Sequence, residues 1–346
     1  MALADRLPVR GTQPRILIVR LSALGDIVFA TSLLQGLRER YPQAHIAWLA
    51  QSGFAGVIEN DPRIDELIRV PKEALKSFAA LRQLRRELTA RGFDWVIDCQ
   101  GLLKSRLLAW LAGGAVRIGF ESKEPGGFLM QHRLPKGGEP RDIGSEYRYL
   151  AEQLTGRSAG PPLLPVTAAG QQAVRTAMAA AGLQPGFVAL CPFTTRPQKH
   201  WMEDYWPALA TQLSAKGIRQ FAIFGGPADR EAAARIMAGM PAGSLDLSGQ
   251  TRLGDLAGWL QQAALVIGVD TGLTHIGIAV QRPTLALFGS TCPYTQGADS
   301  PLTVMYDALP CAPCKRHPTC GGAFTCLRGL TPARVAPAAL ALLDRP

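Results

Sequence analysis

The sequence lacks long apolar runs and short-period repeats, and these absences exclude several classes of protein. No stretch approaches the roughly 18 consecutive apolar residues that a membrane-spanning helix needs. Residues 1–14 contain no apolar segment of the kind that marks a secretion signal, so we expect a cytoplasmic protein. Only 18% of the 346 residues are charged and 47% are hydrophobic, which is ordinary for a globular chain with a sizeable core. The length favours two domains.

Glycine is scarce where a dinucleotide-binding enzyme would need it. The turn after the first predicted strand, SALGD at residues 22–26, contains a single glycine. The fingerprint G-x-G-x-x-G is therefore absent there, which disfavours an NAD-dependent oxidoreductase.

Acidic residues are outnumbered, 27 Asp and Glu against 37 Lys and Arg, giving a formal net charge of +10. The excess favours an acidic partner, either nucleic acid, anionic lipid or a phosphorylated small molecule. Seven basic residues lie between Arg69 and Arg91, and Arg82, Arg85 and Arg86 share one face of a predicted helix. This face is interpreted either as a solvated surface or as a docking surface for a polyanionic acceptor. Because no aromatic residues are interleaved with it, nucleic acid is disfavoured.

Predicted strands and helices alternate along the chain, as in parallel βαβ units. The predicted strands are 15–20, 45–50, 67–70, 95–99, 116–119, 187–190, 220–224, 265–269 and 284–288. The predicted helices are 27–40, 76–91, 102–112, 145–154, 203–216, 228–240, 253–262 and 273–280. The segment 155–166, rich in proline and glycine, reads as a linker and predicts domains at 1–160 and 161–346.

Each half contains a turn with glycine and aspartate where a strand passes into a helix. One follows the strand at 15–20 and ends at Asp26; the other, Asp270-Thr271-Gly272, follows the strand at 265–269. Ligands of open α/β sheets bind beyond the carboxyl ends of the strands, and a helix N-terminus attracts anions. Two such turns indicate an enzyme with two lobes.

Four segments in order resemble the bacterial lipopolysaccharide heptosyltransferases, glycosyltransferase family 9. They are ILIVRLSALGD at 16–26, VIDCQGLLK at 96–104, PFTTRPQKHW at 192–201 and GVDTGLTH at 268–275. The resemblance implies an α/β fold of GT-B architecture, in which two Rossmann-like domains with parallel sheets face each other across a cleft. It implies acceptor binding by the N-terminal domain and nucleotide-sugar binding by the C-terminal domain, without an obligatory metal or cofactor. The family's usual donor is ADP-L-glycero-β-D-manno-heptose, and its acceptor is the Kdo-lipid A inner core at the inner membrane surface.

An inverting transfer needs a carboxylate that takes the proton of the acceptor hydroxyl. Asp26 suits this role at its turn and matches the catalytic base of the family, whereas the alternative interpretation makes it only a helix cap. Gly25 would permit a tight turn and close approach of substrate, and Ser22 would line the same turn. On the acceptor side we also place Gln100 and Lys104, with Asp98, at the end of the strand at 95–99.

The leaving diphosphate needs positive charge and hydrogen-bond donors. Lys199 matches the family's phosphate-binding lysine, with surface solubility as its alternative role, and Thr194 and Thr195 precede it. Thr271 and Gly272 at a helix start would donate to phosphate in place of a metal. We expect Asp270 to orient the loop or to contact sugar hydroxyls. His275 is either a site residue or a packed helix residue.

Glu231 lies near a helix start after a strand, where the family places a carboxylate that binds the nucleotide ribose. The alternative is a first-turn glutamate favoured by the helix dipole.

The seven cysteines divide into two groups. Cys99, Cys191 and Cys292 are expected to be single reduced thiols in or beside strands. Cys311, Cys314, Cys320 and Cys326 have the spacing C-x2-C-x5-C-x5-C, which fits a zinc knuckle, a partial disulfide pair or a loop of free thiols. The resembling family carries such segments without needing a metal, so we predict no metal site.

The expected function is heptose transfer onto the lipopolysaccharide inner core. The motifs at 21–26 and 194–199 favour the first heptosyltransferase over the second, whereas the cysteine segment favours the second. A family 9 enzyme with another sugar or acceptor is the nearest alternative. A binding module for nucleotide sugars or polyanions, without catalysis, is the alternative from another class. The sequence says nothing about the oligomeric state.

Overall fold

A computed structural model describes residues 2–291, 294 and 300–344. The chain forms two units, Met1–Pro165 and Val166–Pro346, so the division falls a few residues beyond the expected boundary at residue 160. Each unit contains one six-stranded sheet in which all strands are parallel. The two parallel sheets and their helices confirm the predicted α/β class. No helix among the described residues is long and apolar enough to cross a bilayer.

The first unit has its strands in the order β3-β2-β1-β4-β5-β6. The strands are β1 Arg15–Val19, β2 His45–Gln51, β3 Glu66–Val70, β4 Trp95–Asp98, β5 Val116–Phe120 and β6 His132–Leu134. The helices are α1 Leu24–Arg40, α2 Ser52–Ala55, α3 Phe78–Ala90, α4 Leu103–Leu111 and α5 Ser145–Thr155.

The second unit has its strands in the order β12-β11-β10-β7-β8-β9. The strands are β7 Val188–Cys191, β8 Phe221–Ile223, β9 Leu245–Asp246, β10 Leu265–Val269, β11 Thr284–Phe288 and β12 Leu302–Tyr306. The helices are α6 Ala168–Ala181, α7 Tyr205–Ser214, α8 Arg230–Met237, α9 Leu256–Gln261, α10 Gly272–Ala279, α11 Thr325–Arg328 and α12 Pro332–Leu343.

The two sheets have the same topology. In each sheet the first three strands along the chain are added from the centre towards one edge, and the next three are added from the centre towards the other edge. The order of the chain therefore reverses between two adjacent strands, β1 and β4 in the first sheet and β7 and β10 in the second. Ligands of open α/β sheets bind at this reversal point, outside the carboxyl ends of the strands. Each of the four segments at 16–26, 96–104, 192–201 and 268–275 includes or follows one of these four strands.

Apolar strands that are covered on both faces form the core of each unit. In the first unit, α3 and α4 pack on one face of the sheet through Leu84, Leu88 and Leu108, beside Leu17 of β1. Helix α1 packs closely on α5. A Cβ added at Gly36 would lie 2.8 Å from the Cβ of Ala151, so glycine is required at that approach.

Seven regular elements lie outside the predicted segments. Their periodicity is weak because they are short edge strands, helices of four residues or alanine-rich helices, and α12 contains a proline at position 337. They are β6, β9, β12, α2, α6, α11 and α12.

Five predicted helix starts were too early, and 3-10 turns precede three of these helices. Helix α3 begins at Phe78, where the hydroxyl of Ser77 accepts a hydrogen bond from the backbone N–H of Ala80, and a 3-10 turn occupies Lys72–Lys76. Similar 3-10 turns, Pro227–Asp229 and Leu253–Asp255, precede α8 and α9.

Candidate active site

Asp26 lies in the first turn of α1, directly after β1. Its Oδ2 accepts a hydrogen bond from the backbone N–H of Ala23 at 3.1 Å and pairs with Nη2 of Arg20 at 2.7 Å. The side chain is 43% exposed, whereas that of Arg20 is 9% exposed. Asp26 therefore caps the start of α1, and the same carboxylate also faces solvent at the reversal point of the sheet.

Arg20, which was not among the predicted site residues, fixes the position of that carboxylate. Its Nη1 donates to the carbonyl oxygen of Cys99 at 3.1 Å, and its guanidinium lies 5.7 Å from the ring centre of Tyr147. Burial opposes the charge of Arg20, but Tyr147 and Asp26 outweigh it and raise the pKa of the guanidinium. The sequence does contain a signal for Arg20, because this arginine comes directly after an apolar strand and six positions before an aspartate.

The other residues predicted around this turn have different environments. Gly25 is a helical residue of α1 rather than the tight turn expected of it, and Ser22 is partly exposed between β1 and α1. Gln100 is buried, and its Oε1 accepts a hydrogen bond from the backbone N–H of Leu21 at 2.8 Å. This contact ties the end of β4 to the end of β1. Lys104 is exposed on α4.

Asp98 stabilises the loop after β4 from inside the protein. It is fully buried, and its Oδ1 accepts hydrogen bonds from the backbone N–H groups of Gln100 at 3.0 Å and Gly101 at 3.2 Å. Burial raises the pKa of Asp98 in spite of these bonds. Asp98 therefore shapes the loop after β4.

In the second unit, Lys199 and Asp270 meet at the reversal point. The Nζ of Lys199 lies 2.5 Å from Oδ2 of Asp270, and the two side chains are 17% and 14% exposed. The same Oδ2 accepts a hydrogen bond from the hydroxyl of Thr291 at 2.7 Å, and Oδ1 lies 3.3 Å from Nε2 of His275. Asp270 thus joins the loop after β7 to the loop after β10.

Burial alone would favour the neutral form of Asp270. His275 and Lys199 overcome it and hold the pKa of the Asp270 carboxyl well below its usual range. Asp270 is therefore an anion that orients Lys199. An ammonium has three N–H donors, so the pair leaves donors of Lys199 for a further anion.

His275 is buried in α10, and its Nδ1 lies 2.6 Å from the hydroxyl of Tyr294. The chain of contacts Tyr294, His275, Asp270 and Lys199 accounts for both interpretations of His275, since the ring is packed and also belongs to the polar cluster. Tyr294 and Thr291 were not predicted, because their loop has no motif that indicates where it folds.

The helix start beside this cluster has the geometry expected of an anion site. Thr271 is the N-cap of α10, which begins at Gly272. The first backbone N–H groups of a helix have no partners within it and carry the positive end of its dipole. Thr194 donates its hydroxyl to the carbonyl oxygen of Asp270 at 3.3 Å, while Thr195 is exposed.

Glu231 lies in the first turn of α8, and its side chain is 94% exposed. It pairs with Arg235 at 3.3 Å, one turn further along the helix. This placement suits the helix-dipole interpretation and leaves the carboxylate open to solvent.

The four clustered cysteines surround one small cavity. Its lining includes Cys311, Cys314, Cys320 and Cys326, together with Gln198 and Ser290. Across residues 2–291, 294 and 300–344, no three His, Cys, Asp or Glu side chains have an arrangement that could hold a metal ion.

The described thiols differ in their surroundings. Backbone N–H groups of the turn at 320–324, above all that of Phe324, lower the pKa of Cys320. Cys99 and Cys191 are buried free thiols, and burial raises the pKa of Cys99 to about 12. Cys292 lies outside the described residues.

Known proteins resemble this chain in sequence and in fold. Residues 81–322 match the model of glycosyltransferase family 9 (heptosyltransferase). The chain is 30% identical to lipopolysaccharide heptosyltransferase 1 of Pseudomonas aeruginosa over 88% of this chain and 87% of that protein. It is 26% identical to lipopolysaccharide heptosyltransferase 2 of Escherichia coli, over 81% of this chain and 84% of that protein. The solved structure of E. coli heptosyltransferase WaaC with ADP-2-deoxy-2-fluoro heptose superposes with a TM-score of 0.73 at 26% identity, covering 94% of this chain and 99% of that one.

Proposed function

The chain belongs to glycosyltransferase family 9, and from this premise we propose that it is an inverting heptosyltransferase of lipopolysaccharide biosynthesis. Its donor is ADP-L-glycero-β-D-manno-heptose and its acceptor is the Kdo-lipid A inner core. The observation that carries the proposal is the half-exposed carboxylate of Asp26, which a buried arginine holds at the reversal point of the first sheet. A carboxylate placed in this way can take a proton from a substrate hydroxyl.

The reaction is a displacement at the anomeric carbon of the heptose. Asp26 removes the proton of the acceptor hydroxyl as its oxygen forms the new glycosidic bond. The bond between the anomeric carbon and the diphosphate oxygen breaks, and ADP leaves with the electron pair. Arg20 keeps the base in one orientation throughout.

Residues of the second unit stabilise the leaving group. Lys199, oriented by Asp270, presents its remaining N–H donors to the diphosphate, and the N-terminus of α10 at Thr271 and Gly272 adds backbone donors. Glu231 is open to accept hydrogen bonds from ribose hydroxyls. These groups supply the charge and donors that a metal would otherwise provide.

Transfer of the first heptose is favoured over transfer of the second. The identity to the first transferase, 30%, exceeds the 26% identity to the second, and it extends over more of this chain. The motifs at 21–26 and 194–199 support the same choice.

The test is release of ADP from ADP-heptose by the purified protein, with Kdo-lipid A and with a monoheptosylated core as alternative acceptors. We expect turnover with Kdo-lipid A, a kcat/KM at least about tenfold lower with the heptosylated core, and full activity in EDTA. A preference for the heptosylated core would assign the second transfer, and no turnover with either would favour a binding module. Loss of activity in EDTA that a divalent ion restores would contradict the metal-free mechanism.

A further inference from the structure

The large hydrophobic side chains that are exposed in the described part of the chain all belong to the first unit. They are Phe78, Leu102, Leu103, Leu107, Trp110 and Phe128. A contiguous apolar surface on a protein marks an interaction site, whereas scattered single residues do not. The question is therefore whether these side chains are neighbours.

Helix α4 carries three of them on one stripe. Leu103, Leu107 and Trp110 are spaced i, i+4, i+7 and are 47%, 37% and 41% exposed. The opposite side of the same helix packs into the core through Leu108 and neighbouring residues. Helix α4 is therefore apolar towards solvent as well as towards the sheet.

The turn that carries Phe128 adjoins this stripe at its N-terminal end. A Cβ added at Gly126 would lie 3.1 Å from Cδ1 of Leu103, so the turn Gly127–Leu129 is in contact with the start of α4. Leu129 packs on the core, and Phe128 beside it is 87% exposed.

Helix α3 adds positive charge to the same side of the unit. Since α3 and α4 cover the same face of the sheet, their outward sides point the same way. The guanidinium of Arg85 lies 5.5 Å from the ring centre of Trp110, which joins the two helices at the surface. Arg82 and Arg86 are exposed beside it, and Lys104 is exposed next to the apolar stripe of α4.

Apolar side chains bordered by arginine and lysine match the chemistry of a bilayer surface that contains anionic phospholipid. Tryptophan and leucine enter the region between headgroups and acyl chains, while the cations pair with lipid phosphates. A second copy of this chain fits poorly, because its own Arg82, Arg85 and Arg86 would be brought against the same cations.

We propose that the outward side of α3 and α4, with the turn at Gly127–Leu129, is a docking face for membranes that contain anionic phospholipid. The inference goes beyond the proposed function, because lipid binding by this face requires neither the donor nor the acceptor.

Trp110 provides a specific reporter, because the other five tryptophans are buried. The experiment mixes the protein with vesicles of phosphatidylcholine alone or with about 30% phosphatidylglycerol, some containing brominated lipid. We expect binding to the anionic vesicles at least about tenfold stronger than to neutral ones, weakened by salt, with quenching of Trp110 fluorescence by the brominated chains. Trp110→Phe is the matched control, which should keep binding and lose the quenching.

The double variant Leu107→Ser, Phe128→Ser changes two exposed side chains and should bind anionic vesicles about tenfold or more weakly, with an unchanged melting temperature. Unchanged binding by this variant, or binding without quenching of Trp110, would place lipid elsewhere and overturn the proposal. If the wild type forms dimers and does not bind vesicles, and the double variant is monomeric, the face is a self-association surface and the proposal is overturned.

The same double variant separates this inference from the proposed function. With a water-soluble acceptor lacking acyl chains, it should release ADP at the wild-type rate. Transfer without any vesicle binding by the wild type would overturn the docking face alone. Vesicle binding without transfer would overturn the proposed reaction alone.

Discussion

Asp26 and Asp270 follow strands at the reversal points of the two sheets, yet their surroundings give them different chemistry. Asp26 is half exposed and pairs with one buried cation, Arg20. Asp270 is nearly buried and contacts Lys199, His275 and Thr291. The first carboxylate is available to a substrate hydroxyl, whereas the second is used within the protein to orient a lysine.

Replacing Asp26 by asparagine tests its role as the base. Asparagine can still accept the backbone hydrogen bond of Ala23 and keep the helix cap, but it cannot take a proton. We expect Asp26→Asn to fold and to bind ADP like the wild type, while kcat falls on the order of 10²–10⁴. Steady-state kinetics and ADP titration measure the two effects, and near wild-type turnover would remove Asp26 from the mechanism.

The sequence predicted Asp26, Lys199 and the start of α10 at the site, because each follows a strand in a local motif. It could not predict the contacts of Arg20 with Cys99 and Tyr147, the contact of Tyr294 with His275 or the hydrogen bond of Gln100 to Leu21. Those contacts join residues far apart in the chain, such as Gln100 and Leu21, and only the folded sheet brings them together. The roles of all these residues in transfer stay predictions.

Among the elements, most of the strands that were predicted correctly are buried central strands with continuous apolar runs, and the edge strand β3 is the exception. Strand β10 and strand β11 have the predicted bounds. The edge strands β6, β9 and β12 were missed because few of their residues face the core, so their sequences carry little apolar signal. Helix α6 was missed because alanine dominates it, although Thr167 caps its start and Gly182 ends it.

The basic face of helix α3 can be tested by reversing its charge. Leu84 and Leu88 anchor it in the core, while Arg82, Arg85 and Arg86 are exposed, as both interpretations of the basic face require. Changing these three arginines to glutamate should raise KM for the lipid acceptor, more at low than at high ionic strength, because salt screens the attraction to its phosphates and carboxylates. KM for the donor should stay nearly constant.

Arg175→Glu on α6, an exposed arginine of the second unit, is the matched control and should leave both constants unchanged. If the acceptor and donor constants move together in the triple variant, or neither moves, α3 is a solvated surface and the acceptor binds elsewhere.

Across the whole molecule, each unit has its own hydrophobic core. One cluster contains only residues of the first unit, around β1, β2, α3 and α4, and another only residues of the second, around β7, β10, α7 and α12. The proline-rich linker at 155–166 was the sequence signal for this division, and the division falls at its end. Two separate cores can melt as two cooperative transitions.

This separation predicts where ADP will stabilise the protein. The proposed diphosphate site, Lys199 with the start of α10, belongs entirely to the second unit, so ADP should stabilise only that unit. At about 100 times its Kd, ADP should add about 2.7 kcal/mol and raise the second unit's transition by roughly 5–10 °C in calorimetry, leaving the first unchanged. Lys199→Ala should weaken ADP binding by roughly 1–3 kcal/mol and remove most of the shift, whereas Asp26→Asn should retain it. Movement of the first unit's transition with ADP would contradict this assignment, because ligand energy appears only in the unit that unfolds together with its site.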